Sequence, residues 1–166
     1  GKRINALMQF KDGKKDGFET QWYDNGEKKS EVNWKNGKED GVKIVWYDNG
    51  VKKGEINNKE GKHDGLATAW NEDGSKKKEF NYVNNKMNGL AISWHESGEK
   101  RSETNLKNGE QDGVITFWYE NGQKKAEVKF KDGKQDGLII EYDTLGKESY
   151  RAVYSKGILK AEFESR

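Results

Sequence analysis

The side chains that could catalyse a reaction are few in this sequence. His63 and His95 are the only histidines. Neither is accompanied at a regular spacing by a nucleophile, an acid or a base, although general acid–base and nucleophilic catalysis both need such a partner within hydrogen-bonding reach. We therefore predict no catalytic residue and expect a protein that is not an enzyme.

Oxygen ligands for a hard cation stand beside many glycines. Asp12, Asp16, Asn36 and Asp40 are examples. Their spacing matches neither the alternating pattern of an EF-hand loop nor the nonapeptide of calcium-binding β-rolls. The chain has no cysteine, so thiolate metal sites and disulfides are excluded. Turn formation explains these residues, and we predict no metal site and no cofactor.

Pairs of basic residues are the most regular polar feature. Each is followed two residues later by glutamate, as in Lys28-Lys29 with Glu31. Lys29 and Glu31 would share one face of a strand and neutralise each other. The net charge is only +2. We therefore expect no nucleic-acid partner, and we regard contact with membrane lipid as disfavoured. The pairs are Lys28-Lys29, Lys52-Lys53, Lys76-Lys77, Lys100-Arg101 and Lys124-Lys125.

These residues recur because the chain is a tandem repeat. Glycines at positions 17, 41, 65, 89, 113 and 137 are separated by 24 residues each time. Two further glycine series keep this period, and one of them is interrupted only at Asn85. Asparagine tolerates a left-handed backbone better than other non-glycine residues, so the interruption preserves the turn. An aromatic residue also recurs, as Trp22, Trp46, Trp70, Trp94, Trp118 and Tyr142.

Each repeat contains two turn signals separated by short segments with apolar residues at alternate positions. Phe18, Thr20 and Trp22 alternate with polar residues, which is the period of a β-strand. The sequence therefore predicts an all-β fold, an elongated single-layer antiparallel β-meander built from 24-residue hairpin repeats. A three-residue loop at Asp24-Asn25-Gly26 would place Trp22 and Val32 on the same face.

The ends of the array are predicted to be caps. Residues 1–16 form an N-terminal half repeat and cap strand, because Met8 and Phe10 occupy the positions of Val32 and Trp34. Six 24-residue repeats cover residues 17–160, and residues 161–166 form a C-terminal cap or tail. We expect one continuous repeat domain, since terminal repeats usually depart from the consensus.

The repeated pattern is Trp-Tyr-x-Asn-Gly-x-x-Lys-x-Glu followed by Asn/Asp-Gly-Lys-x-Asp-Gly. It resembles the bacterial variant of the MORN repeat found in YwqK-type proteins, over residues 6 to 157. The resemblance implies a single sheet of hairpins and a role in protein interaction or membrane-proximal scaffolding. Some bacterial relatives of this kind are labelled antitoxins.

Our leading hypothesis is a non-enzymatic module for protein–protein interaction or scaffolding. Its partner would be an unidentified protein or a second copy of the chain. The alternatives are a carbohydrate-binding or cell-wall-binding surface protein and an antitoxin-like partner of a toxin. The resemblance implies a bacterial protein, either exported to the cell surface or cytoplasmic.

Two sets of residues are candidates for binding. The aromatic row from Trp22 to Tyr142 is interpreted as a structural one-layer core, bridged by Val32 and its equivalents; an open row would instead be a groove for peptide or sugar. On the opposite face, the strands become more apolar toward the C-terminus. Ile115, Phe117 and Ile139 are predicted to form an exposed apolar patch for a partner or a second copy.

Overall fold

The structure is a computed structural model that describes residues 5–163. The outermost residues of the two predicted caps, 1–4 and 164–166, lie outside the described residues. The chain divides between Lys86 and Met87 into two compact units. Both units are all-β, and their strands follow one another antiparallel in chain order. The predicted antiparallel β-meander is confirmed.

Unit 1 contains seven strands, each paired with the next. They are β1 (Ala6–Lys11), β2 (Lys14–Trp22), β3 (Lys28–Lys35), β4 (Lys38–Trp46), β5 (Lys52–Lys59), β6 (Lys62–Trp70) and β7 (Lys76–Val83). Met8 pairs with Glu19 and Phe10 with Lys15, just as Val32 pairs with Lys43 and Trp34 with Glu39.

Unit 2 continues the same hairpin pattern. Its strands are β8 (Lys86–Trp94), β9 (Lys100–Lys107), β10 (Glu110–Gln111), β11 (Gly113–Trp118), β12 (Lys124–Lys131), β13 (Lys134–Tyr142), β14 (Glu148–Ser155) and β15 (Ile158–Phe163). The short β10 and the longer β11 both pair with β9. β15 pairs with β14 and is the last strand of the described chain.

One set of hairpins has two-residue loops with both residues in the left-handed region. In the loop between β3 and β4, φ is 51° at Asn36 and 80° at Gly37. Two positive φ values define a type I′ turn, whose twist matches that of the flanking strands. Asn85, with φ of 68°, keeps this geometry where the glycine series is interrupted.

Replacing Glu60 by asparagine should stabilise the protein by up to about 1 kcal/mol, because a left-handed backbone conformation has a higher free energy for glutamate than for asparagine. Glu60 and Asn36 have the same φ of 51°. Each donates its backbone N–H at 3.1 Å to an aspartate, Asp40 and Asp16 respectively. The reverse change, Asn36→Glu, is the matched control and should destabilise by a similar amount. Thermal unfolding of both variants would measure the effect, and shifts of the same sign would contradict it.

The other set of hairpins has the predicted three-residue loops. Around Asp24-Asn25-Gly26, the N–H of Tyr23 donates to the Glu27 carbonyl at 2.9 Å, and the N–H of Gly26 donates to the Tyr23 carbonyl at 2.9 Å. Gly26 has a positive φ of 94°, which glycine adopts without steric cost. The loop prediction is therefore correct.

A β-bulge just after this loop makes the predicted face of Val32 wrong. Trp22 pairs with Lys28, but its neighbour Gln21 pairs with Ser30, which leaves Lys29 as an extra residue. Each extra residue shifts the strand by one and turns its side chains to the other face. Val32 consequently pairs with Glu19 and lies opposite the side that carries Trp22. The same register shift follows every three-residue loop for which a pairing is described.

The sheet of each unit therefore has two faces of different character. Directly paired residues share a face, so the register defines a core face and a tryptophan face. The core face carries Val32 in unit 1, and Ile115 and Ile139 in unit 2, all of them buried. The tryptophan face carries the aromatic row. Since a single layer has no second sheet to cover it, the described chain contains no large side chain that is fully buried.

Hydrogen bonds between successive repeats account for several recurring polar residues. The Tyr47 hydroxyl donates to the Trp70 carbonyl at 2.9 Å. At the opposite ends of the strands, the N–H of Gly61 donates to the Glu39 carbonyl at 2.7 Å. These bonds satisfy carbonyl groups that the strand ladders leave free. Tyrosine and the loop glycines therefore recur because they join one repeat to the next.

Candidate functional site

The aromatic row is half-buried, and lysine side chains lie over three of its rings. The Lys28 ammonium lies 5.6 Å from the ring centroid of Trp46, and Lys52 lies 5.8 Å from that of Trp70. In unit 2, Lys100 lies 5.8 Å from Trp118. Such cation–π contacts hold an aliphatic chain and a charge over the ring. This cover favours a structural role for the row over an open groove.

The expected bridging of the tryptophans by Val32 and its equivalents is wrong. Because of the bulge, those residues lie on the core face, whereas Lys28 pairs with Trp22 and its ammonium lies over the ring of Trp46. Lys28 binds Glu31 at 2.8 Å, three residues along the same strand. The row is thus an alternation of aromatic rings with ion pairs.

The patch predicted at Ile115, Phe117 and Ile139 is not exposed. Ile115 and Ile139 are each 6% exposed, and Phe117 is half-buried. Ile115 pairs with Val128, which in turn pairs with Ile139. These residues do lie opposite the tryptophans, as expected, but that side is the core face. The exposure on which the binding hypothesis depended is therefore wrong.

A different apolar row, which we name the outer apolar row, is exposed on the tryptophan face. Its members directly follow the glycines of the 24-residue series, and their exposed fractions range from 37% to 55%. Sequence reasoning had assigned Phe18, the first of them, to the apolar side of its strand. The regular spacing of these residues could be seen in the sequence, but their exposure to solvent could not. The row consists of Phe18, Val42 and Leu66 in unit 1 and Leu90, Val114 and Leu138 in unit 2.

Lysines lie beside the outer apolar row at the two-residue loops. Lys35 pairs directly with Lys38, and Lys59 pairs with Lys62. Lys131 and Lys134 repeat this arrangement in unit 2, where they line a cavity of about 340 Å³. Like charges directly opposite each other destabilise a sheet, and in unit 2 Asp132 and Asp136 line the same cavity as these lysines.

The core face of unit 1 holds a second, larger cavity of about 420 Å³. Lys15 binds Glu19 at 2.6 Å, and Lys43 binds Glu39 at 2.8 Å. The bond from Lys15 holds the pKa of the Glu19 carboxyl below its usual value, against the opposing effect of burial, and a bond from Gln21 adds to the lowering. Glu19 is therefore a charged group in a largely buried position. Lys29, Ser30 and Lys53 also line the cavity.

The two histidines make structural contacts. His95 Nε2 lies 2.9 Å from the Trp118 carbonyl, in the place where Tyr119 donates its hydroxyl to the Tyr142 carbonyl at 2.8 Å. His63 Nδ1 lies 2.8 Å from Asn58 Oδ1. Within residues 5–163, no group of three His, Asp or Glu side chains is placed to hold a metal ion. No membrane-spanning helix is found in that part of the chain.

Comparison with known protein families supports the repeat assignment. The model of the MORN repeat variant matches residues 15–36, 87–108 and 111–132. The starts of these segments differ by multiples of 24 residues, so each covers the same part of the repeat, a hairpin with a three-residue loop. No curated protein matches the chain. The bacterial origin and the YwqK-type assignment stay predictions. The chain is therefore a repeat protein that carries MORN repeat variants.

Proposed function

We propose that this chain is a scaffolding module that binds a partner protein through the outer apolar row. The observation that carries the proposal is the exposure of one apolar side chain per repeat at a fixed position. Members of the row in β2, β4 and β6 stand two strands apart, or about 9.5 Å. Apolar side chains that are exposed at the same position in successive repeats are suited to contact with an extended partner.

Asparagines between the apolar side chains give the surface a polar component. Phe18 pairs with Asn33, and Val42 pairs with Asn57. The Asn33 side chain donates to the Asp40 carbonyl at 2.7 Å, which fixes its orientation. A partner can therefore place apolar side chains on the row and meet oriented amide groups between them, as in the mixed surfaces of non-obligate interfaces.

A photo-crosslinking amino acid at Val42 tests this proposal. In cells that express the chain, it should link to one discrete partner protein, which mass spectrometry would identify. The combined substitution of Phe18 and Leu66 by serine, in the same unit as Val42, should abolish that link. The same crosslinker at Ile44, which is half-buried on the same strand, is the control. Equal crosslinking of the serine variant would contradict the proposal.

A second candidate is an anionic membrane surface, because the lysine pairs stand beside the outer apolar row. Apolar side chains together with several lysines produce interfacial binding to acidic lipid. Flotation with vesicles of phosphatidylcholine, with and without phosphatidylserine, separates the two candidates. Binding only to the acidic vesicles, lost in the serine variant, would favour the membrane and overturn the partner protein. The carbohydrate alternative depended on an open aromatic row, and we do not propose it.

A further inference from the structure

The two lysines of each basic pair have different surroundings. The first is neutralised: Lys28 binds Glu31 at 2.8 Å, and Lys52 binds Glu55 at 2.7 Å. The second lies on the core face, where Lys29 and Lys53 line the cavity of unit 1. Neither has a carboxylate partner among residues 5–163. The neutralisation of Lys29 by Glu31, expected from the sequence, is therefore wrong.

The bulge explains this separation. Without it, Lys29 and Glu31 would lie on one face, as alternation requires. The extra residue puts Lys28 beside Glu31 and sends Lys29 to the opposite side. The repeated glutamate thus compensates the charge of the first lysine in each pair and not that of the second.

The cavity between these lysines has an excess of positive charge. Its other charged residues form two internal pairs, Lys15 with Glu19 and Lys43 with Glu39. Each of those pairs has a net charge of zero. Lys29 and Lys53 therefore leave a charge of +2 on the cavity, beside the hydroxyl of Ser30 and the apolar surface of Val32.

Both lysines are positioned by tyrosine rings. The Lys29 ammonium lies 5.7 Å from the ring centroid of Tyr23, and Lys53 lies 5.2 Å from that of Tyr47. Each ring is fixed in turn, since the Tyr23 hydroxyl donates to the Trp46 carbonyl at 2.7 Å and Tyr47 donates to Trp70. A side chain that is oriented before binding loses less conformational entropy when its ligand arrives.

The spacing of the two lysines indicates the form of the anion. Lys29 lies in β3 and Lys53 in β5, so their backbones stand two strands apart, about 9.5 Å. Residues i and i+3 of a polyproline II helix lie on the same side and are separated by about 9.3 Å. Residues i and i+2 of a β-strand are separated by only about 6.7 Å.

We propose that the core-face cavity of unit 1 binds an acidic segment of another protein in the polyproline II conformation. Two carboxylates three residues apart would accept hydrogen bonds from Lys29 and Lys53. The outer apolar row lies on the other face of the sheet, so either surface can bind or fail to bind independently of the other.

A set of synthetic peptides tests this inference. A fluorescent peptide with repeated Glu-Pro-Pro should bind the whole chain, and fluorescence anisotropy would measure its affinity. A peptide of repeated Gln-Pro-Pro lacks the charge. A peptide of repeated Glu-Ser, with the same number of glutamates, lacks both the spacing and the polyproline conformation. Both should bind at least about tenfold more weakly, as expected for the loss of two ion pairs and of preorganisation.

Matched variants locate the site. Lys29→Gln with Lys53→Gln should weaken Glu-Pro-Pro binding about tenfold and reduce its dependence on salt. Lys28→Gln with Lys52→Gln removes the same charge from the other face and should change binding less than about twofold, because those lysines are already paired. Thermal unfolding of both variants checks that the fold is intact.

Several results would overturn the inference. Absence of Glu-Pro-Pro binding, equal losses in the two double variants, or equal binding of the Glu-Ser peptide would each do so. Tighter binding of single-stranded oligothymidylate or of polygalacturonate, lost in the Lys29/Lys53 variant, would show a site for another polyanion. None of these results depends on whether Phe18, Val42 and Leu66 bind a partner.

Discussion

Replacing Ile115 by alanine should lower the free energy of unfolding by about 2–4 kcal/mol. Ile115 is buried on the core face of unit 2, where it pairs with Val128. The change removes apolar contacts from a single layer that has no opposing sheet to move into the space. The cost of such a substitution depends on how far the surroundings can relax, and paired strands relax little. Urea unfolding followed by tryptophan fluorescence would measure the loss.

The neighbouring residue provides the control. Val114 is on the same strand, faces the other way and is 47% exposed. Val114→Ala should therefore cost less than about 0.5 kcal/mol, as expected for an exposed position. The faces would be wrongly assigned if Val114→Ala cost as much as Ile115→Ala. This pair separates the structure from the sequence-based expectation, which made Ile115 an exposed binding residue.

The repeat and its turns could be predicted from the sequence because each depends on residues with distinctive backbone preferences. Type I′ loops need two positive φ values, and residue pairs such as Asn36-Gly37 are typical of them. The three-residue loop at Asp24-Asn25-Gly26 is equally visible. With a fixed period and alternating apolar positions, these signals determine a meander of hairpins.

The faces could not be predicted because the bulge has no comparable signal. A β-bulge of the classic type accepts ordinary residues, and Lys28-Lys29 contains no glycine that would mark it. One extra residue in the bulge moves the side chains of β3 to the opposite face of the sheet relative to Trp22. The same error affected the predicted sites, because Ile115 was expected to be exposed and the charge of Lys29 was expected to be compensated by Glu31.

Replacing Gly65 by alanine should destabilise the protein by about 2–3 kcal/mol, through backbone strain and a steric contact together. Gly65 has φ of 111°, a region that is essentially restricted to glycine. A Cβ atom there would lie 3.2 Å from Cβ of Asn57 and 3.3 Å from its Nδ2. Because Cβ of Asn57 is attached directly to its backbone, it cannot move aside without a shift of β5.

Gly113 separates these two effects, because its φ is nearly the same and its surroundings are open. Its φ is 110°, and a Cβ atom built on it meets nothing within 4 Å. Gly113→Ala should therefore show the backbone strain alone, about 1–2 kcal/mol. Thermal unfolding of both variants would measure the difference, which belongs to the contact with Asn57. Equal losses would mean that Asn57 yields freely and that only the backbone conformation requires glycine in the Asp-Gly pair. Negligible losses in both would remove the strain argument, and the 24-residue glycine series would then need an explanation in binding.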